Sequence, residues 1–160
     1  MKGIVSMFVL MVLLTGCRTK CCHNYSVNLY LKYQNSNGDD LLDPKTANAL
    51  NEQDIEVYVL RKGVRVRLYN AMMDAQKNFK IRGSSAEKYH MVLYFDIAKE
   101  SFVKKKVTMF ITYKDRSEDK IVGEFNEDDG TNILLQSVWI NDLSMGRPSY
   151  SPSTAFILKK

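Results

Sequence analysis

The stretch that decides the fold is "KVTMFITYKDRSEDKIVGEF", residues 106–125. Its first part, residues 106–114, has the apolar and β-branched composition of a strand, and residues 115–119 follow as a polar turn. Residues 120–125 then return to a strand-like composition. Because two strand-like segments joined by a short polar segment are typical of a hairpin, the stretch predicts antiparallel β-structure.

Similar signals recur on both sides of this stretch. In "YSVNLYLKYQ", residues 25–34, apolar side chains occupy alternate positions, which is the period of a half-buried strand. Residues 55–60 and 64–69 flank a short segment with a late glycine, Gly63, and predict a second hairpin. Residues 89–97 are apolar on both faces and predict a central strand. Further strands are expected at 78–81, 132–141 and 155–158.

Two segments leave an alternative open. Residues 132–141 are interpreted as a strand, although their apolar spacing also suits a short helix. Residues 70–78, "NAMMDAQKN", are either a helical turn or a loop. We expect Met72 and Met73 within this segment to fill the core, since methionine adapts to irregular gaps.

The strand count predicts an all-β fold. About seven or eight short strands with polar turns and no strand–helix alternation favour a Greek-key, immunoglobulin-like β-sandwich over a parallel sheet. The sandwich is expected to span residues 25–160. The residues expected in its core are Val27, Leu29, Leu31, Val57, Val59, Val66, Leu93, Phe95, Met109, Ile111 and Trp139.

The first residues have the order of an export signal. A basic start at Lys2 precedes the apolar run 4–14 and the small residues Thr15 and Gly16. The apolar run is shorter than the roughly 20 residues that a membrane-spanning helix needs. A cleaved signal helix is therefore expected rather than a transmembrane helix. An ordinary signal, or a buried apolar strand, is the alternative interpretation.

The end of this segment, "LTGC" at residues 14–17, resembles the bacterial lipobox. That resemblance implies that the thiol of Cys17 receives diacylglycerol and that cleavage before Cys17 creates an acylated amino terminus. Several acyl chains hold a protein firmly on a bilayer, whereas one is marginal. The implied organisation is a signal peptide at 1–16, a lipidated tether at 17–24 and the β-domain from residue 25.

A wider resemblance covers most of the chain after the signal. The lipobox, "NSNGDDLLDP" at 35–44, the hairpin at 110–125 and "LLQSVWIND" at 134–142 resemble small lipoproteins that are common in Bacteroidetes. The resemblance implies a cell-envelope protein with an all-β domain. In that group, surface export commonly goes with acidic residues soon after the cysteine. None precedes Asp39 here, and the aspartate directly after the cysteine that retains some lipoproteins in the inner membrane is absent too, so an outer-membrane anchor with the domain in the periplasm is expected. The alternative interpretation is that the tether carries no sorting information.

Charge gives little indication of a partner. The chain has 23 basic and 18 acidic residues, a formal net charge of +5, and removal of Lys2 with the signal leaves +4. The densest basic run, residues 103–106, is expected in a solvated loop. Nucleic acid is not an expected partner, because the excess is mild and an exported lipoprotein rarely meets nucleic acid.

The tether contains the other cysteines, Cys21 and Cys22, followed by His23. Three interpretations stay open for them: free or paired thiols, a strained disulfide between adjacent residues, or a soft-metal site that lacks a fourth ligand. The remaining histidine, His90, begins an apolar strand and is expected to be structural. The sequence shows no Gly-x-Ser-x-Gly elbow, phosphate-binding glycine loop or dinucleotide fingerprint.

Two acidic loops are candidate calcium sites. Asn35, Asn37 and Asp39 place oxygen atoms at alternate positions around Gly38, but the glycine and the twelfth position, Thr46, do not fit the EF-hand pattern. A polar β-turn is the alternative interpretation. The second loop contains the acidic residues Glu127, Asp128 and Asp129. No cofactor is expected other than the covalent lipid on Cys17 and calcium at these candidate loops.

Two classes of function remain. The first is an anchored binding or structural module whose loops or edge strand meet an envelope protein or a glycan. The second is a carboxylate- or metal-dependent hydrolase of envelope or glycan substrates. The pairs Glu118–Asp119 and Glu127–Asp128 are expected in solvated turns, whereas glycosidase acids need a cleft that separates their environments. The first class is therefore favoured.

We predict that Cys17 is lipidated and that the domain lies in the periplasm. Mass spectrometry of the membrane-extracted protein should find no residue before Cys17 and an added diacylglyceryl mass. Protease added to intact cells should leave the domain uncut until the outer membrane is permeabilised. An unmodified Cys17 in an intact chain would contradict the anchor, and prompt digestion on whole cells would contradict the orientation.

Overall fold

The computed structural model describes residues 24–84, 86–126, 132–148 and 151–160. Within these ranges the protein is all-β, as predicted, with twelve strands and three short 3-10 turns. No helix in the described part of the chain has the length and hydropathy of a membrane-spanning segment. The strands are β1 (Asn24–Ser26), β2 (Asn28–Gln34), β3 (Ile55–Arg61), β4 (Val64–Arg67), β5 (Phe79–Arg82), β6 (His90–Tyr94), β7 (Phe102–Val103), β8 (Lys106–Tyr113), β9 (Glu118–Phe125), β10 (Asn132–Ile140), β11 (Leu143–Gly146) and β12 (Phe156–Lys159).

The strands form two sheets. The large sheet has the order β1-β10-β9-β8-β3-β4, with β11 beside β10 and β7 beside β8, and the small sheet has the order β12-β2-β6-β5. Two pairs, β1 with β10 and β12 with β2, are parallel, so both sheets are mixed. The strand number exceeds the expected seven or eight because short pieces such as β7 and β11 pair separately.

The inner faces of the two sheets share one hydrophobic core. Of the residues expected there, eight are buried: Leu29, Leu31, Val57, Val59, Leu93, Phe95, Met109 and Ile111. Val27 and Val66 are half-buried and pack against this core from its margin. Period-two alternation therefore predicted most of the core correctly, since inward residues of a strand are two positions apart.

Trp139 is an exception, and its prediction as a core residue is wrong. The register of β10 shifts between Leu135 and Ser137, so that the inward residues Leu135 and Val138 are three positions apart. This bulge turns Trp139 to the outer face, where it is half-buried and the Lys106 ammonium lies 4.2 Å from its ring centroid. The same spacing explains why the sequence of this strand also suited a helix.

The segment predicted as one strand at 25–34 is divided between the sheets. β1 pairs with β10 of the large sheet, whereas β2 pairs with β6 of the small sheet. Val27 makes the crossing, and its carbonyl accepts a hydrogen bond of 3.0 Å from the backbone amide of Phe95. Because β1 lies outside the core, Tyr25 is 48% exposed although its position in the alternation predicted burial.

Residues 70–78 form a loop of turns rather than a helix. The expectation that its methionines fill the core is wrong, since Met72 is 94% and Met73 53% exposed. Lys77 anchors the loop instead, because its ammonium donates to three backbone carbonyl groups near the start of β3, those of Glu52, Gln53 and Ile55.

Both predicted hairpins are confirmed. β3 and β4 are joined through Lys62 and Gly63, whose φ angles of 48° and 80° are those of a tight hairpin turn. β8 and β9 pair with each other within residues 106–125. Their turn is shorter than expected, because Asp119 belongs to β9 and is buried rather than solvated.

Gly123 lets the two sheets approach each other. It lies on the inner face of β9, and a Cβ atom there would be 2.7 Å from the Phe95 ring and 2.8 Å from the side chain of Leu135. Real Cβ atoms do not approach other atoms so closely. A glycine inside a strand commonly marks such a close approach by another element. In this protein it is the aromatic ring of the opposite sheet.

We expect Gly123→Ala to lower the free energy of unfolding by about 1–3 kcal/mol, because the added methyl group overpacks the core against Phe95. Urea unfolding followed by circular dichroism measures the change. Glu124→Ala, on the outer face of the same strand, is the matched control and should change stability by less than about 0.5 kcal/mol. Equal stabilities of Gly123→Ala and wild type would contradict this close approach.

Candidate functional site

An open cleft of about 670 Å³ lies at the end of the sandwich where β8 ends. One wall comes from the loop between β2 and β3, and the other comes from the turn between β8 and β9. Lys160, which follows β12, also lines it. Three segments that are distant in the sequence therefore build the cleft.

The first wall is held by the core beneath it. Leu41 and Leu42 are buried, and the backbone amide of Leu41 donates to the carbonyl of Tyr33 over 2.9 Å. Asp40 fastens the same loop to the small sheet, because its carboxylate accepts a 3.0 Å hydrogen bond from the backbone amide of Tyr89. The loop is thus a fixed cap on the core rather than a free connection.

A polar network around the buried residues Tyr33, Tyr113 and Asp119 lies beneath the cleft, and two of its members, Tyr113 and Lys160, line the cleft. The Asp119 carboxylate accepts hydrogen bonds from the Tyr113 hydroxyl over 2.6 Å and from the Asn141 amide over 2.9 Å, and pairs with the Lys160 ammonium at 2.7 Å. The hydroxyl oxygens of Tyr33 and Tyr113 lie 2.9 Å apart. The Lys160 ammonium also lies 4.1 Å from the Tyr113 ring centroid. We name these five residues the floor network.

Every buried polar side-chain atom of the floor network has a hydrogen-bond or ion-pair partner. Burial raises the pKa of Tyr33 far above its ordinary value, although the hydrogen bond with Tyr113 lowers it in part. Burial raises the pKa of Tyr113 further, and the charge of Asp119 adds to this effect. Both phenols therefore stay protonated and serve as hydrogen-bond partners. No buried side-chain nitrogen or oxygen atom among the described residues lacks a partner.

Charged groups at the rim face solvent. The Lys114 ammonium is 3.5 Å from the Asp54 carboxylate, and the Lys114 side chain is 80% exposed. The Asp115 carboxylate accepts hydrogen bonds from the hydroxyl and the backbone amide of Ser117, which lower its pKa. Asp115 consequently remains ionised and offers a fixed acceptor. The rim presents amides, carboxylates and ammonium groups to a ligand.

The first candidate calcium loop is a closed turn beside this cleft. The side-chain oxygen of Asn35 accepts hydrogen bonds from the backbone amides of Asn37 and Asp39, each 2.9 Å long. The Asn35 amide nitrogen donates to the Asp39 carboxylate over 2.8 Å, and Gly38 has a φ of 87°. The structure thus brings Asn35 and Asp39 together through the hydrogen bonds of a polar turn.

Several predicted positions lie outside the described residues: Cys17, Cys21, Cys22, His23, Glu127, Asp128 and Asp129. Within the described ranges, no group of three or more histidine, cysteine, aspartate or glutamate residues is arranged to hold a metal ion. Calcium binding at either loop stays a prediction.

His90 is half-buried at the start of β6, and its ring centroid lies 5.7 Å from that of Tyr30. Burial lowers the pKa of His90, and the positive charges of Lys32 and Arg82 lower it further. The imidazole is therefore neutral at pH 7. Its tilted contact with the Tyr30 ring suits the structural role that the sequence suggested.

The floor network was not predicted from the sequence. Asp119 was expected in a solvated turn, but it is 4% exposed in β9. One signal was present, because Asp119 has the same strand phase as the buried residues Ile121 and Phe125. Extending the alternation of β9 towards the turn would have placed this carboxylate inside. Nothing local indicated its partner Lys160, which follows β12 of the other sheet.

Comparison of the chain with protein-family models, with curated proteins and with solved structures gives no match.

We expect Tyr113→Phe to lower the free energy of unfolding by about 1–3 kcal/mol, because it removes a donor from the buried Asp119 carboxylate. Chemical denaturation measures the change. Tyr58→Phe is the matched control, since Tyr58 lies on the outer face of the large sheet beneath the Arg65 guanidinium and is not part of the floor network. It should cost less than about 0.5 kcal/mol. Equal losses in the two variants would contradict the role given to the Tyr113 hydroxyl.

Proposed function

We propose that this protein is a lipid-anchored lipoprotein of the cell envelope whose β-domain binds a protein or glycan partner through the cleft above the floor network. The observation that carries the proposal is the position of the cleft. Asn24, where the described chain begins, pairs with Asn132 at the end of the large sheet where β8 starts. The cleft lies at the opposite end, where β8 finishes at Tyr113. A partner therefore approaches the side away from the tether.

The chemistry of the cleft suits binding. Its amide side chains, among them Asn48 and Asn51, alternate with aliphatic residues such as Leu50. Polar groups on a fixed frame recognise hydroxyl and amide groups, while the aliphatic residues contact the apolar faces of a sugar or a peptide. Because the floor is complete and the core is filled, the cleft is a surface feature of the capping loops rather than a deep pocket.

The alternative, a hydrolase that uses these carboxylates, has less support. A glycosidase needs one carboxyl group that stays protonated to donate to the leaving group. The hydrogen bonds from Ser117 move the pKa of Asp115 in the opposite direction. The Asp54 carboxylate is engaged in an ion pair with the Lys114 ammonium, 3.5 Å away.

The proposal includes the fold family and the location. An immunoglobulin-like Greek key is supported by the way the chain passes from one sheet to the other between β2 and β3, between β4 and β5, and between β6 and β7. A solved structure with another strand order would contradict it. Periplasmic placement on the outer membrane is supported by the lipobox and by the absence of acidic residues between Cys17 and Asp39. Calcium in the loops remains an accessory hypothesis, and nucleic acid is not proposed as a partner.

The binding proposal predicts that filling the cleft abolishes partner capture. A photo-crosslinking residue in place of Asn51, in the full lipidated chain in native membranes, should give one discrete adduct with an envelope protein or a glycan. Adding Ala47→Trp should reduce that adduct at least tenfold, because Ala47 is exposed and lines the cleft. Immunoblotting and glycan staining of the purified adduct measure the result.

Ala86→Trp provides the matched control, because Ala86 is exposed on a loop that does not line this cleft. It should leave the adduct unchanged. Retention of the adduct in the Ala47→Trp variant would overturn the cleft as the binding site. If the protein instead releases reducing ends from envelope glycans, and if this release depends on Asp54 or Asp115, the hydrolase proposal replaces the binding proposal.

A further inference from the structure

One lateral edge of the sandwich, formed by residues 61–82, carries several exposed apolar side chains. It comprises β4, the loop 68–78 and β5, and we name it the β4–β5 edge; β4 and β5 are edge strands of the two sheets. Four large apolar residues within it are exposed by half or more: Val64, Tyr69, Met72 and Met73. Met72 and Met73 were expected to fill the core, so their exposure on a loop calls for another apolar environment.

The same edge carries much of the positive charge of the protein. Residues 61–82 contain seven basic residues and one acidic residue, Asp74. Carboxylates from other segments also contact it, namely Glu52, Glu56, Asp96 and Glu118. The balance is seven basic against five acidic groups, an excess of two positive charges. Glu56 pairs with both Arg67 and Lys77, and Asp74 with both Lys80 and Arg82.

The chain reaches this edge directly from the tether. An open groove of about 680 Å³ runs along the edge and is lined by Val27, Leu68, Tyr69 and Met73, among others. Ile97, another exposed apolar residue, also lines it. Val27 lies ten positions after Cys17, and an extended chain of that length spans at most about 35 Å. The groove is therefore within reach of the lipid.

We propose that the β4–β5 edge is a membrane-docking surface that rests on the anionic headgroups of the bilayer holding the anchor, with Tyr69, Met72 and Met73 at the acyl boundary. This inference rests on the proposed lipid anchor. Apolar side chains flanked by basic residues are the combination that binds an interface rather than bulk water or a dry protein core. The long basic side chains reach the headgroups while their stems cover apolar surface.

Docking depends on the negative charge of the lipid surface and on the short distance at which the anchor holds the domain from that surface. Each basic residue near an anionic surface contributes about fivefold to the docking equilibrium. The anchor makes docking an intramolecular step, so that a weak surface still stays occupied. Docking on this edge leaves the cleft at the end of β8 open to a partner.

The test uses the full lipidated chain with Cys21→Ser and Cys22→Ser, reconstituted in vesicles. A polarity-sensitive fluorophore is attached to the single added cysteine of Met72→Cys. In vesicles with about 30% phosphatidylglycerol, whose surface potential is strongly negative, we expect the emission of the label to shift to the blue and to be quenched by acyl-brominated lipid. In vesicles of neutral phosphatidylcholine, both the shift and the quenching should be several-fold smaller. Leu143→Cys is the matched control, because Leu143 is 71% exposed on β11, on the other side of the large sheet. Its label should stay in water in both lipids.

A charge reversal tests the electrostatic part. Lys62→Glu with Arg82→Glu should reduce the quenching at position 72 at least tenfold, whereas Lys45→Glu with Arg116→Glu, both at exposed positions outside the edge and the cleft, should leave it unchanged. An anchored protein whose label at position 72 stays in water would overturn the docking surface and leave the edge as a charged guard against aggregation. A signal that follows protein density instead of lipid charge would overturn it in favour of a second copy. Protein that fails to enter vesicles at all would contradict the anchor, which is a separate failure.

Discussion

Asp119 has a carboxylate that is 4% exposed, and such a group is stable inside a protein only when donors surround it. Its donors come from both halves of the sandwich. Tyr113 lies on the neighbouring strand of the large sheet, whereas Lys160 follows β12 of the small sheet and Tyr33 extends the network to β2. Removing one partner would leave a buried charge uncompensated, which costs more than the intact pair contributes. The relative position of the sheets at the cleft end is therefore set by hydrogen-bond geometry.

A different constraint operates four residues further along β9. At Gly123 the Phe95 ring from the other sheet occupies the space that a Cβ would need. The ring also meets Phe125 edge-on, with centroids 5.4 Å apart. β9 thus fixes the position of the two sheets relative to each other at two points, by polar contacts at Asp119 and by close packing at Gly123. Because both contacts are specific, a slide of one sheet over the other would break them together. That rigidity holds the capping loops of the cleft in place.

Sequence periodicity predicted the parts of the fold that repeat and missed the parts where the repeat is interrupted. Leu29, Val57 and Ile111 were correctly placed in the core, because an unbroken strand alternates. Trp139 was wrongly placed, because a bulge changes the phase and a single sequence gives no sign of the extra residue. The crossing at Val27 has no local mark either, since both of its flanks are strand-like. The cleft was missed for another reason. Its walls and its floor come from segments that meet only in the folded chain, and its key carboxylate was hidden beside a polar turn.

The length of the tether connects the two proposed surfaces. Asn24 lies seven positions after Cys17, so a lipid on Cys17, as proposed, would be at most about 25 Å from the start of the domain. β8 has eight residues and is about 27 Å long, which separates the tether end of the domain from the cleft end. If the cleft faced the bilayer, the tether would have to be fully extended, at a large cost in chain entropy. If the β4–β5 edge rests on the headgroups, the tether does not need to be fully extended and loses less conformational entropy. With Cys17 lipidated as proposed, a tether this short would favour orientations in which the cleft faces away from the membrane, and docking of the β4–β5 edge would select among those orientations.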